Sequence, residues 1–392
     1  MGVGWTVAHR ANVLSGNIVS GSGDVNSRAD AIVTDGPAAF RRLMLRPQTA
    51  VAVAKQFVKQ LCVRAPFKTL SGVVVSVIFD EAAKMPPQRA LVAASRAKAN
   101  PPDPDGPRLD PKKLSPGHLQ EVLNWDPLLA HSTSKKAVWE LLGRAVFEQL
   151  CAHDGCIVEV ITAGAMYVRD LTKVLPVRRC TSHGEADLLV ATRASDFAAV
   201  GRTVEIVTVD YDQILQSLVA PTGESFATAV RFKAELVNIP ALIKTYGGNC
   251  RSRRLSAAFF MLCAFKSDYS KSLCRPTGSR VNHFVSAMTE GTVAITETFN
   301  AETGARTMMF RPPAFLSVVK AWPHDVGHKT ATAMLNNVLW TLAYFSGYDA
   351  YRPGWGGPPE INLEEKSAKW TLLREIEILE ETFTYRRTTL IA

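Results

Sequence analysis

The sequence predicts an α/β protein in which helices flank a central, mostly parallel sheet, with a helical C-terminal extension. Three observations predict it. Continuous apolar runs rich in β-branched residues, VVVSVIF (73–79), CIVEVI (156–161) and VEIVTV (204–209), read as strands buried on both faces, as parallel strands are. Between them, apolar residues recur at helical spacing. The two patterns alternate along the chain, which is how βαβ units are written.

The elements follow in order. Ala29–Phe40 holds a short strand at Ile32–Val33 that ends at Asp35 and turns at Gly36–Pro37. Thr49–Arg64 is an amphipathic helix, and Leu70–Glu81 a buried strand ending at Asp80. Pro86–Ala99 continues as a basic helix with its prolines in the first turn, where a missing N–H costs least. Ala99–Gly117 is rich in Pro and Asp and predicts a mobile loop. Then come a helix at Lys136–Ala152, a strand at Cys156–Gly164, a helix at Gly184–Ser195 and a strand at Thr203–Asp212. An apolar helix spans Ser256–Ser270. The remainder reads as mostly helical, with a Gly/Pro/aromatic segment at Ser346–Ile361 and a charged helix at Glu364–Phe383. There is no internal repeat.

The 392 residues are 47% hydrophobic and 21% charged, enough for a large core and too apolar for a disordered chain. A net charge of +9 suggests a polyanionic partner, nucleic acid before an anionic membrane. Seven cysteines without a CxxC pair argue against a disulfide framework or zinc ribbon. They fit a reducing, intracellular compartment, nucleus and cytoplasm being equally compatible. No apolar run is long enough to span a bilayer, and no signal-peptide pattern opens the chain. MGVGWT fits the loose myristoylation pattern and equally a folded N-terminus with a small Gly2.

Apolar strands that end in aspartate carry the chemistry. Asp35, Asp80 and the pair Asp210/Asp212 all fall at the carboxyl edge of the expected sheet, where ligands of such sheets bind. A single strand-end aspartate is ordinarily a helix N-cap or turn former. Several on neighbouring strands crowd negative charge, and a divalent cation is the usual compensation. Oxygen ligands without Cys or His point to Mg²⁺ or Mn²⁺.

The blocks MGVG, AIVTDGPAAF, VVVSVIFDEAAKMPPQRALVAASR, GEAD, VTVDYDQIL and KSDYSKSL, in this order over about Met1–Val285, resemble the PIN-like 5′-nuclease superfamily. Its members include flap endonucleases, XPG-type nucleases and Xrn-type 5′→3′ exoribonucleases. The resemblance implies two-metal hydrolysis of phosphodiester bonds, in DNA or RNA with a 5′ end or flap. It implies Asp35, Asp80, Asp187 and Asp210 as the most direct ligands of two Mg²⁺ or Mn²⁺ ions, with Glu185, Asp212 and Asp268 around them. Lys84, Arg89 and Arg96, with Gln88, correspond to the basic helix that meets the scissile phosphate. Gly2 falls near the active site, Phe40 where a flap endonuclease stacks an aromatic, and Arg280 in a helix-turn-helix-like region that contacts nucleic acid. The implied organisation is a nuclease domain in two parts, 1–98 and 136–290, separated by a mobile loop or arch at 99–135 and followed by a mainly helical region at 291–392.

The match has departures. CRPTGSRVNHF carries only Gly278 where flap endonucleases have a G-x-G hairpin, and a plain sliding-clamp peptide is absent. AKMPPQRA and Leu339–Trp355 lean instead towards the Xrn-type branch. Outside the blocks, Arg251, Arg253 and Arg254 of RSRRLS form the best basic patch, either phosphate-binding or a solvated helix start. The aromatics between Trp340 and Trp355 are core or base-stacking faces. His324 and His328 have zinc spacing without a third ligand. The expected activity is therefore a metal-dependent 5′-nuclease; the alternative is a catalytically inactive nuclease fold that binds nucleic acid or a protein.

Overall fold

The computed structural model describes residues 18–19, 29–41, 43–65, 68–80, 98, 101, 103–175, 186–219, 225–232, 235–265, 267, 269–270, 278–299, 302, 306–320 and 328–346. The expected helices at Pro86–Ala99, apart from Lys98, and at Glu364–Phe383, and most of the Gly/Pro/aromatic segment, lie outside them. The chain divides into two compact units, one of 18–217 with 225–240, the other of 1–17, 218–224 and 241–392. Residues 241–290, grouped with the sheet on the sequence, belong to the second unit.

The first unit is α/β. Its elements are β1 (Ile18–Val19), β2 (Ala31–Asp35), α1 (Gly36–Phe40), α2 (Ala50–Arg64), β3 (Val74–Ile78), α3 (Trp125–Ala130), α4 (Ser132–Cys151), β4 (Ile157–Ile161), β5 (Met166–Arg169), α5 (Ala186–Ala199), β6 (Val204–Thr208), the start of α6 (Asp212–Val219), β7 (Ala229–Phe232) and β8 (Glu235–Asn238). The sheet order is β1-β8-β7-β6-β2-β3-β4-β5. The middle strands β7, β6, β2, β3 and β4 run parallel; β5, β8 and β1 are antiparallel additions at the two edges.

Side chains alternate between the two faces of this sheet, as the two-residue strand period requires. Ile32, Val75, Val77, Val158 and Val160 join one core with Phe57 and Leu61 of α2 and Leu142 and Val146 of α4. The intervening residues face the other way, towards α5, as the bonds of Ser76 and Glu159 to one another and to Arg193 of α5 show. Thr49 caps α2, its hydroxyl accepting from the Ala52 N–H at 3.1 Å.

The segment expected to be a mobile loop, 99–135, is largely part of this core where it is described. Asp110 caps a 3₁₀ turn at Pro111–Lys113, a second turn follows at Pro116–Leu119, and α3 completes it. Leu109, Leu119, Leu123, Trp125 and Leu128 are buried against α2 and α4. The prolines and aspartates that suggested mobility build and cap these turns instead.

The second unit is mainly helical where described. It comprises the end of α6, most of α7 (Ile239–Tyr246), α8 (Arg251–Ala264), α9 (Gly278–Thr289), the hairpin β9 (Ile295–Phe299)/β10 (Arg306–Phe310), α10 (Pro312–Lys320) and α11 (His328–Phe345). Helix α8 starts earlier and stops earlier than the expected Ser256–Ser270. The hairpin departs from the expected helical C-terminal region; ITETF and RTMMF are short stretches whose β-branched and aromatic residues suit strands. Phe259, Phe260, Phe284, Phe310 and Phe315 form the centre of this unit's core. Tyr269, Tyr344 and Phe345 pack together, with Phe345 fully buried, so this part of the aromatic cluster is core.

Candidate active site

Strand register brings the acidic residues to one place. Asp35 ends the central strand β2 and is level with Ile78 of β3. Asp80 lies two residues beyond Ile78. On the other side, Thr34 is level with Val207 of β6, which puts Asp210 two residues beyond the level of Asp35 as well. Strands spaced by about 4.8 Å and rising about 3.3 Å per residue set each outer aspartate roughly 8 Å from Asp35, Cα to Cα. The two-residue period aims all three towards the face covered by α5. There Asp187 occupies the first turn of α5 and is buried.

The structure also realises the ordinary role of strand-end aspartates. Asp35 caps α1, its carboxylate accepting from Ala38 N–H at 3.4 Å. Asp80 Oδ1 accepts from the Ala186 N–H that opens α5, at 3.1 Å. Asp210 Oδ1 accepts from the Asp212 N–H that opens α6, at 3.0 Å. Three helix N-termini therefore meet three carboxylates at this edge, each supplying an N–H and the positive end of a backbone dipole. Gly36 makes the first junction possible: a Cβ there would stand 2.6 Å from the Phe79 ring. The Gln213 side-chain amide bonds the Asp187 carbonyl at 3.1 Å, tying the starts of α5 and α6 together.

The helix ends do not neutralise the cluster. The Asp35 carboxyl is held well above the usual carboxylate range. Burial is the first cause and the Asp80 charge the second; Asp210 adds to them, while the Ala38 N–H and Arg41 pull the other way. A cation from an unexpected quarter stands nearby. Lys135, in the first turn of α4, places Nζ 3.9 Å from Asp80 Oδ2. The sequence reading missed it, because a lysine in STSKK looks like the solvated start of a helix.

The α5 face is pinned from below by a second missed group. Glu159 of β4 is fully buried and accepts from Ser76 Oγ at 2.7 Å and from Arg193 Nε at 3.2 Å. A second guanidinium nitrogen of Arg193 bonds the other Glu159 oxygen, and its third reaches Asp196 at 3.1 Å. Burial alone would lower the Arg193 pKa, but Glu159 and Asp196 outweigh it and raise it. This fork fixes α5 against the sheet, and with it Asp187.

Several expected contacts are corrected. Phe40 is fully buried, 4.7 Å from the Phe57 ring and 5.8 Å from Phe79, so it is a core residue and offers no stacking face. Arg251 and Arg254 are also buried. Arg251 bonds the Val219 carbonyl, the Ser346 carbonyl at 2.9 Å and Glu297 at 2.7 Å; Arg254 bonds the Leu218 carbonyl at 3.1 Å and that of Gly248 at 2.9 Å. They close the last turn of α6, which cations favour. Arg253 points away from them and is exposed. Arg280 lies on α9. Gly2, Lys84, Gln88, Arg89, Arg96, Glu185 and Asp268 lie outside the described residues, as does His324.

Among the described residues, no three His, Cys, Asp or Glu side chains stand close enough to share one ion. The donor chemistry nonetheless fits Mg²⁺ or Mn²⁺: only carboxylates converge, and their mutual repulsion already favours a proton on Asp35. Magnesium ordinarily takes one or two carboxylates and completes its shell with water and substrate phosphate, so a dedicated cage is not required. No helix among the described residues is long and apolar enough to cross a membrane. Neither the known protein-family models nor the curated proteins contain a match to this chain.

Proposed function

We propose that this carboxylate edge is the active site of a divalent-metal-dependent nuclease of the PIN-like 5′-nuclease type, hydrolysing phosphodiester bonds at the 5′ ends or flaps of DNA or RNA. The observation that carries the reading is the convergence of Asp35, Asp80 and Asp210 from three adjacent parallel strands, with Asp187 on the helix above them. Ions bound there would supply an activated water and stabilise the leaving 3′-oxygen. Asp35, Asp80, Asp187 and Asp210 would hold the ions, and the Asp212 backbone N–H, at the start of α6, donates to Asp210 and fixes it. The Glu159–Arg193 fork keeps α5 in place. The test incubates the protein and an Asp210→Asn variant with 5′-labelled flap DNA, blunt duplex DNA and 5′-monophosphate RNA, in Mg²⁺ or EDTA. Cleavage by wild type in Mg²⁺ alone, lost in the variant, is expected. Equal behaviour of the two on every substrate refutes it.

One observation favours a second reading, a catalytically inactive fold that binds nucleic acid. Each strand-end carboxylate already accepts a helix N–H, and Lys135 already faces Asp80. On that reading the same substrates are bound and none is cut in either condition.

A further inference from the structure

We infer that the second unit carries a phosphate-binding pocket built from the α7–α8 corner and the end of α9. The cavity has a volume of about 220 Å³. That is below the roughly 300–1,000 Å³ of sites that enclose a drug-sized molecule, so it suits a small group rather than a whole ligand. Two cations line it, Lys244 from the last turn of α7 and Arg253 from the first turn of α8, and among the described residues no acidic one does. Both side chains are exposed, and neither has a hydrogen bond or ion pair among the described residues. Arg251 and Arg254, on the same helical turn, are occupied by carbonyls and Glu297, so Arg253 is the one arginine of RSRR left to a ligand.

The shape of the pocket comes from glycines. Gly247 and Gly248 turn the chain between α7 and α8 with φ of +147° and +54°. A Cβ on Gly247 would stand 2.8 Å from the Arg254 nitrogen, so the turn lies directly on the first turn of α8. Gly291 ends α9 with φ of +74°, and a Cβ on it or on Gly248 would meet nothing within 4 Å. Both turns thus leave open space above a floor of Ala257 and Met288. Thr292 adds a hydroxyl group beside it, while the Thr245 and Thr289 hydroxyls donate to carbonyls of their own helices. Two cations without a partner among the described residues, facing one small cavity, suit a phosphate. The phosphate is either free or part of a nucleic-acid backbone; this inference does not depend on the carboxylate edge being catalytic.

The test uses the full chain in EDTA, so that nothing is cleaved. One arm titrates inorganic phosphate and follows it by ³¹P NMR; the other measures fluorescence anisotropy of a labelled single-stranded oligonucleotide at about 50 and 200 mM salt. The variants are Lys244→Ala, Arg253→Ala and the double variant. Arg144→Ala, which removes a positive charge paired with Glu148 elsewhere, is the control. Each pocket variant is expected to weaken binding about tenfold relative to Arg144→Ala. For the oligonucleotide, the double variant lowers the slope of log K against log salt by about 0.7, the value for the one phosphate contact the pocket makes. Loss in the phosphate arm alone assigns the pocket to free phosphate, and loss with the oligonucleotide assigns it to backbone. Pocket variants that match Arg144→Ala in both arms overturn the inference.

Discussion

Replacing Arg193 by methionine tests how the candidate site is held. Glu159 is fully buried, and in the variant it keeps only the Ser76 hydroxyl among its present partners. Removing one partner of a buried ion pair costs about 3–5 kcal/mol, because the remaining charge is stranded. The bond to Asp196 adds little, since that carboxylate is 43% exposed. At a urea slope of about 2 kcal/mol/M, the midpoint should fall by roughly 2 M. Pairing Arg193→Met with Glu159→Gln should recover much of the loss, because no charge is then stranded. The assay is urea unfolding followed by far-UV circular dichroism at pH 7. A cost below about 1 kcal/mol for Arg193→Met, or a double variant as unstable as the single one, would refute the argument.

Two further outcomes follow from the same physics. Asp35 keeps a proton in the native state that the unfolded chain gives up above about pH 3.9, so metal-free stability should fall as pH rises from there towards its raised native value. Asp35→Asn retains a capping side chain and should remove that fall while abolishing metal-dependent cleavage; urea titrations in EDTA across this range check it, and a variant with the wild-type pH dependence contradicts it. Phe40→Ala should cost about 3–5 kcal/mol through the cavity left beside Phe57 and Phe79, with nucleic-acid affinity unchanged in the fraction that remains folded. Weaker binding without loss of stability would restore a stacking role.

The central strands were legible because burial on both faces leaves unbroken β-branched runs, and β2, β3, β4 and β6 all carry such a stretch. The shorter strands outside them were not. MYVR, AVRF and ELVN are four residues each and mix charge with apolar groups, so their pairing is decided by neighbours distant in sequence. Trp125 and Leu128 gave no periodic signal because they reach the core from a single short helix. At the candidate site, the strand-end aspartates were visible from local pattern alone, while the contact between Lys135 and Asp80 exists only after folding. The split among the arginines of RSRR did leave a trace: positions 251 and 254 share a helical face, and 253 lies off it.

The sheet unit is interrupted between 217 and 225 and complete by residue 240. During synthesis every strand of the large sheet has therefore emerged before most of the second unit exists. At about 5–20 residues per second, Arg251 and Arg254 of α8 follow residue 240 within roughly 1–3 s. Until then the end of α6 waits for them. Leu218 and Val219, both fully buried in the finished protein, have no arginine from α8 to close their carbonyls until that helix is made. The nascent chain thus passes briefly through a stage with a finished sheet and a helix end whose last carbonyls are not yet closed.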